Sequence, residues 1–364
     1  LNIVYISSLS GNKSAGLTYS VPVQIENQSK IDNVFWYNLN PNYSRDTIGD
    51  LKCNSIVEYP NVSVANLPTP FNNPDIVVFE GFYFSNYYKI ARELKNKRIP
   101  YIIIPRSSLT RDGQNAKSIK KRVANLLFFN SFARNAKAIQ YLTEEEYKQS
   151  GDSWNETAII IPNGTKKKSR VKEWDNNTCN LKGIFIGRLD IYQKGIDLLI
   201  EACRTLKAEL KDFKCTIDIY GPDQNGTKKE ICDLISRYGL EEHIHVYDAI
   251  FDNEKEKVLL ESDFFVLTSR FEGHPMGLIE ALSYGVPCLV TKGTNMLDEL
   301  SDAKAGWTAS TNVESITEAM RNIFREKQQL SLRGKNALAL SEKYDWYTLA
   351  KKSHQLYAQL IENK

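Results

Sequence analysis

Short apolar runs alternate with longer helical patterns along nearly the whole chain, and this alternation limits the possible folds more than any other feature. In the first half, residues 3–6, 34–37, 76–79, 101–104, 138–141 and 158–161 read as strands, with helical periodicity at 85–97 and 117–134. In the second half, 183–186, 215–220, 243–247, 264–268, 288–291 and 306–309 read as strands, and 195–210, 228–238, 254–261, 277–284 and 313–325 as helices. Runs that are apolar throughout belong to strands covered on both faces, as in parallel sheets with helices packed on either side. The expected fold is therefore α/β, with two Rossmann-like doubly wound domains whose strand ends face a central cleft, where such sheets bind ligands. The stretch from Gly164 through the lysines 166–168 to Asn180 interrupts the alternation and reads as a linker. It separates a domain at 1–164 from one at 165–340. A tail at 341–364, mostly an amphipathic helix, is expected to return to the first domain.

A length of 364 residues suits two domains of roughly 100 to 200 residues each. With 42% hydrophobic and 25% charged residues, the chain has enough apolar content for two cores, which excludes a disordered chain. No run reaches the roughly 18 apolar residues of a membrane span. The chain opens on a strand with no charged and apolar leader pattern ahead of it, and a cytoplasmic location is the expectation. Cys53, Cys179, Cys203, Cys215, Cys232 and Cys288 show neither CxxC nor His-paired spacing, so no zinc site or disulfide framework is expected. The net charge of +3 divides unevenly. Residues 1–172 hold 23 Lys and Arg against 14 Asp and Glu, and the remainder holds 24 against 30. The first half is thus the one suited to an anionic partner.

The most informative segment is 269–282, Ser-Arg-Phe-Glu-Gly-His-Pro-Met-Gly-Leu-Ile-Glu-Ala-Leu, between an apolar strand and a helix. Pro275 stands near the first helical turn, where a missing N–H costs nothing, and Gly273 and Gly277 flank the turn. The amides of Met276, Gly277 and Leu278 would face outward with the positive helix end behind them, which makes an anion site. Glu272 and Glu280 would accept hydroxyls of a sugar or ribose; each could equally be a solvated or dipole-complementing carboxylate. A second element, Gly187-Arg188-Leu189-Asp190 leading to Lys194-Gly195, also follows a strand. Arg188 as a fork and Lys194 as a point charge suit a diphosphate. Together these residues describe a nucleoside-diphosphate-sugar pocket.

The spacing of Glu272 and Glu280 is E-x7-E. With Gly187-Arg188, Lys194-Gly195, Pro162-Asn163-Gly164 and Gly221-Pro222, it makes the chain resemble the retaining glycosyltransferases of family 4, a two-Rossmann GT-B group of bacterial surface-polysaccharide type. The resemblance is strongest over 160–300. It implies a retaining, metal-independent hexosyltransferase that moves a sugar from a nucleoside-diphosphate-sugar, a UDP-sugar first, to a lipid-linked oligosaccharide in capsule, O-antigen or exopolysaccharide synthesis. Arg188 and Lys194 would hold the donor diphosphate and Glu280 the ribose. Glu272 and His274 would meet the transferred sugar, and the amides of 276–278 the distal phosphate. Loops at 221–224, with Gly221 and Pro222, and at 247–250 would line the base, and Gly16 and Leu17 would approach from the first domain. No Asp-x-Asp occurs, so neither a divalent metal nor a cofactor is expected, the nucleotide sugar being a substrate. Two other readings fit this architecture: a nucleotide-sugar isomerase, and an inactive sugar-nucleotide-binding subunit.

Many relatives carry a histidine in the first domain, but the histidines here are His243, His245, His274 and His354, and Pro105-Arg106-Ser107 stands where Pro-His-Gly would be expected. Arg106 could orient an acidic sugar or acceptor phosphate, and Glu80 could bind acceptor hydroxyls or act as base. An exposed salt bridge and a helix cap are the plain alternatives. Residues 117–137 mix Lys117, Lys120, Lys121, Arg122 and Arg134 with Leu126, Leu127, Phe128, Phe129 and Phe132. Such a helix could lie on an anionic membrane, at the cytoplasmic face of the inner membrane, or simply pack its apolar stripe on the sheet. No nucleic-acid-binding motif accompanies the basic residues.

Overall fold

Successive residues of the strand Asn2–Ser7 (β1) point to opposite faces of one sheet, and both faces are closed. Val4 and Ile6 join a core with Tyr87, Ile90 and Leu94 of the helix Ser85–Lys97. Ile3 and Tyr5 join a second core with Val21 and Ile25 of the helix Leu17–Ser29 and with Trp346, Leu349 and Tyr357 of the C-terminal helix Trp346–Glu362. A period of two with cover on both sides explains why the strand reads as unbroken apolar sequence. The computed structural model describes residues 1–10, 17–43, 47–48, 51–115, 118–151, 153–174, 180–223 and 226–362. It forms two units, Leu1–Gly164 with Trp346–Lys364, and Thr165–Asp345.

The sheet of the first unit continues with β2 (Asn33–Asn38), β3 (Thr47–Ile48), β4 (Leu51–Ser55), β5 (Ile76–Glu80), β6 (Tyr101–Ile104), β7 (Ala138–Tyr141) and β8 (Ala158–Ile160), in the order β3-β4-β2-β1-β5-β6-β7-β8. The pairs are parallel except β3 with β4. The strand order reverses between β1 and β5, and the loops beyond those two strands lie at the switch point.

The second unit is a fully parallel sheet of β9 (Lys182–Ile186), β10 (Thr216–Tyr220), β11 (Ile244–Tyr247), β12 (Phe264–Leu267), β13 (Cys288–Thr291) and β14 (Gly306–Ala309). Its order is β11-β10-β9-β12-β13-β14, so its switch point lies between β9 and β12. Two Rossmann-like α/β domains are therefore the fold, as the alternation of strands and helices predicts.

The segment read as a linker is not one over residues 165–174. The Thr165 amide donates to the Tyr344 carbonyl at 2.7 Å, the Lys172 amide to the Tyr284 carbonyl at 2.8 Å, and the Lys172 ammonium sits 3.3 Å from Asp263. Polar composition signalled a loop, and the loop is laid down on the second unit because its backbone groups and lysines find partners there. Tyr344 is buried in the same core, which keeps residues 341–345 with the second unit. Cys53, Cys203, Cys215 and Cys288 are buried, and burial pushes the Cys203 thiol up to about 12. Cys179 lies outside the described residues.

Candidate active site

Two loops meet at the switch point of the second sheet, one after β9 and one after β12. The first approaches the sheet through residues that leave no room for a side chain. A Cβ on Gly195, whose φ is +60°, would stand 2.0 Å from the Thr268 carbonyl oxygen, and one on Gly277 would stand 2.8 Å from the Ile186 carbonyl oxygen. Glycine is required at Gly195 both for the left-handed backbone and for the close approach. The Thr268 hydroxyl closes the contact by donating to the Gly195 carbonyl at 2.8 Å.

The loops are then clamped to each other. Arg270 forms a bidentate pair with Asp197, both bonds 2.7 Å long, with its guanidinium over the Tyr192 ring. Its amide donates to the Gln193 carbonyl at 2.8 Å. Gln193 accepts from the Arg188 guanidinium at 2.5 Å through its side-chain oxygen. Lys194 lies 2.5 Å from Glu272 Oε1, which also accepts from the Ser269 hydroxyl at 2.7 Å. The Glu272 carbonyl accepts from the Asn295 amide group at 2.6 Å. Arg188 and Lys194 thus belong to one hydrogen-bonded constellation with Glu272, which lies 78 residues beyond Lys194 in the chain.

Immediately beyond Glu272, the helix Met276–Ser283 starts at Pro275, whose own side chain makes no capping hydrogen bond. The first amides of a helix have no intrahelical acceptor, so those of Met276, Gly277 and Leu278 form an electropositive end next to the Glu272 loop. Glu280 sits one turn further on. Its two oxygens lie 3.4 Å from Lys168 and 2.7 Å from Lys255, and Lys168 also lies over the Tyr284 ring. Gly187 and Gly221 end β9 and β10 side by side, since a Cβ on Gly221 would strike the Gly187 carbonyl oxygen at 1.8 Å. The Pro222 carbonyl accepts from the Leu189 amide at 3.2 Å, and that of Gly273 accepts from Asn295 at 3.4 Å. His274 is buried against Tyr344, with ring centroids 5.3 Å apart, and burial lowers its pKa to about 3. Its imidazole is therefore neutral at physiological pH.

In the first unit, Glu80 and Arg106 are both buried and hold each other. Arg106 Nε donates to Glu80 at 2.8 Å, while its terminal nitrogens donate to Asn163 at 2.7 Å, Gln24 at 2.6 Å and Ser20 at 3.3 Å. The other Glu80 oxygen is buried and has no hydrogen-bond partner among the described residues. Arg106 and Ser107 adopt φ of 51° and 66°, a conformation costly for residues with a Cβ, and the Glu146 carboxylate secures the loop by accepting from the Ser107 and Leu142 amides at 2.5 and 2.6 Å. Leu17 opens its helix and is partly exposed. Gly16 lies outside the described residues.

Sequence reasoning missed Gln193, Ser269, Asn295, Lys168 and Lys255. Gln193 and Ser269 stand beside the residues that were chosen, and adjacency was the signal available. Asn295, Lys168 and Lys255 come from distant segments and left no spacing to read. Among the described residues, no cluster of His, Cys, Asp and Glu has metal-binding geometry.

Residues 167–339 match the family model described as Glycosyl transferases group 1. The match lies within the second unit, which is thus similar to the group 1 glycosyltransferases. The whole chain is also similar to an uncharacterized glycosyltransferase of Methanocaldococcus jannaschii, at 24% identity over 332 residues, which is 84% of this chain and 87% of that protein. It resembles the GDP-mannose:cellobiosyl-diphosphopolyprenol alpha-mannosyltransferase of Komagataeibacter xylinus at 23% identity over 208 residues, 56% of this chain and 51% of that protein. In three dimensions it superposes on sucrose-phosphate synthase from Thermosynechococcus elongatus over 100% of both chains, with a TM-score of 0.76 at 16% identity. HepE of Anabaena, solved in complex with UDP, matches with a TM-score of 0.74 at 14% identity over 99% of this chain and 100% of that one. These likenesses establish the GT-B fold. The constellation around Lys194 and Glu272 lies within the segment that matches this family model.

Proposed function

We propose that the chain transfers a sugar from a nucleoside-diphosphate-sugar, with a UDP-sugar as the first candidate, to a lipid-linked oligosaccharide, retaining the anomeric configuration and needing no divalent metal. The carrying observation is the convergence of Arg188, Lys194 and Glu272 at the start of the helix Met276–Ser283. The likeness to a UDP complex favours the donor class, and the polyprenol-directed relative favours the acceptor class.

The bond that breaks joins the sugar C1 to a phosphate oxygen, so the barrier falls when the departing negative charge is met by preorganised positive potential. Arg188, Lys194 and the amides of residues 276–278 supply that potential. Glu272, oriented by Ser269 and Lys194, accepts from hydroxyls of the transferred sugar. Glu280 accepts from the ribose hydroxyls, and Lys168 and Lys255 hold its carboxylate in place. The acceptor hydroxyl attacks C1 on the face that the phosphate leaves, and its proton passes to that phosphate. Gly221 and Pro222 line the base. Arg106 and Glu80, being buried, act on the acceptor by holding the loop after β6. The polysaccharide being built is a capsule, O-antigen or exopolysaccharide at the cytoplasmic face of the inner membrane.

The test is a panel of nucleotide sugars incubated with the protein in EDTA, with free nucleoside diphosphate and remaining donor measured. One donor is expected to be hydrolysed slowly, and Lys194→Ala and Arg188→Ala should remove that release. Isomerisation without release, tight binding without turnover, or release unchanged in both variants overturns the reading.

A further inference from the structure

The helical stretch after the loop at 105–110 carries its apolar residues on two different faces. Phe129, Phe132 and Ala133 are buried in the core of the first unit, whereas Ile119, Val123, Leu126, Leu127 and Phe128 are between 44% and 80% exposed. A π-turn at Asn125–Phe129 separates the two sets: the Asn130 amide reaches back five residues to the Asn125 carbonyl. An α-helix would use the residue four back, and one additional residue in a turn shifts the phase of everything after it by about 100°. The shift turns the phenylalanines inward and leaves the preceding apolar stripe outside. A polar hub keeps the π-turn in place. The Tyr83 hydroxyl donates to Asn125 Oδ1 at 3.0 Å and accepts from Gln114 at 2.8 Å, and Asn125 donates to Gln114 at 3.0 Å.

Charge surrounds this stripe with one sign. From residue 113 to residue 143 the sequence contains no Asp or Glu. Lys120 and Arg122 are exposed and flank the line from Ile119 to Val123 on the helix Ser118–Ala124, and Arg111 and Arg134 are exposed further along. Lys121 points the other way, donating to the Gly113 carbonyl over the Tyr83 ring. An exposed apolar stripe with cations on both sides is the pattern of a helix lying in a bilayer interface, where side chains such as Leu126 enter the acyl region and Lys120 and Arg122 meet anionic headgroups.

We propose that residues 118–128 of the first unit dock on an anionic lipid surface, with Ile119, Val123, Leu126, Leu127 and Phe128 as the inserting set and Lys120 and Arg122 as the headgroup contacts. The surface deepens the transferase reading by bringing the protein to a lipid-borne acceptor. It rests on its own geometry and is read by binding, so it can fail while donor hydrolysis stands, and the reverse.

The experiment is flotation of the full chain with phosphatidylcholine vesicles and with vesicles that also contain phosphatidylglycerol. The native protein is expected to float with the anionic vesicles and to be released as salt rises. Leu126→Gln with Leu127→Gln, and separately Lys120→Glu with Arg122→Glu, should each weaken binding by about tenfold or more. Thermal unfolding of both variants should match the native chain, because the altered side chains lie outside the core. Failure of the native protein to float overturns the proposal, as does flotation unchanged in the leucine variant. Self-association in sedimentation that the leucine variant abolishes, without vesicle binding, would assign the face to a second copy and overturn it as well.

Discussion

The ammonium of Lys194 and the Glu272 carboxylate meet at 2.5 Å across the switch point of the second sheet, and the Ser269 hydroxyl shares the same carboxylate oxygen. The pair joins the loop after β9 to the loop after β12, so each residue sets the position of the other.

Lys194→Ala should therefore lower kcat by about 10²-fold or more by removing charge opposite the leaving phosphate. Glu272→Gln should also lower kcat. Because the residues act as one unit, the double variant is expected to fall well short of the product of the two single losses. Donor hydrolysis for the four proteins of this cycle checks it, and multiplicative losses would show that the residues work separately.

Arg106 is expected to matter more for stability than for direct acceptor contact. Arg106→Ala leaves the Glu80 carboxylate buried without its partner, which should cost about 3–5 kcal/mol. Arg106→Met combined with Glu80→Leu should recover much of that loss, since it removes both charges. Urea unfolding of the three proteins is the measurement; stability unchanged in Arg106→Ala would rule out a structural role for the pair.

Gly195→Ala places a methyl group 2.0 Å from a backbone oxygen at a φ of +60°. The backbone cannot yield there without moving Lys194, so a loss of about 1–3 kcal/mol should come with reduced turnover. Tolerance of alanine in both stability and activity would mean that the two loops are not held together there.

His274 should make folding sensitive to acid. Burial lowers its pKa from 6.5 to about 3, so between those values the unfolded chain binds the proton and the folded chain does not. Its contribution is complete above about 6.5 and is lost as pH falls toward 3, amounting to about 2 kcal/mol between pH 7 and pH 5. His274→Gln should flatten that part of the stability profile, measured as the denaturant midpoint at the two pH values.

Local sequence carried the strands, most helices and the positions of Arg188, Lys194, Glu272 and Glu280 at strand and helix ends. Strand burial and helix amphipathicity leave a period in the chain, and glycine and proline mark its turns. The helix Leu330–Ser341 and the short strands β3 and β4 left no pattern strong enough to read.

The partners of those residues had to wait for the fold. Lys168 comes 112 residues before Glu280, Lys194 lies 78 before Glu272, and Arg106 gathers Ser20, Gln24, Glu80 and Asn163 from segments up to 86 residues away. No periodicity encodes an ion pair between distant segments. Its formation depends on which strand ends the sheet order brings together, and on which side of them water is excluded. The same applies to residues 118–134, where composition identified a basic amphipathic stretch and one π-turn settled which of its apolar residues the core keeps and which remain at the surface.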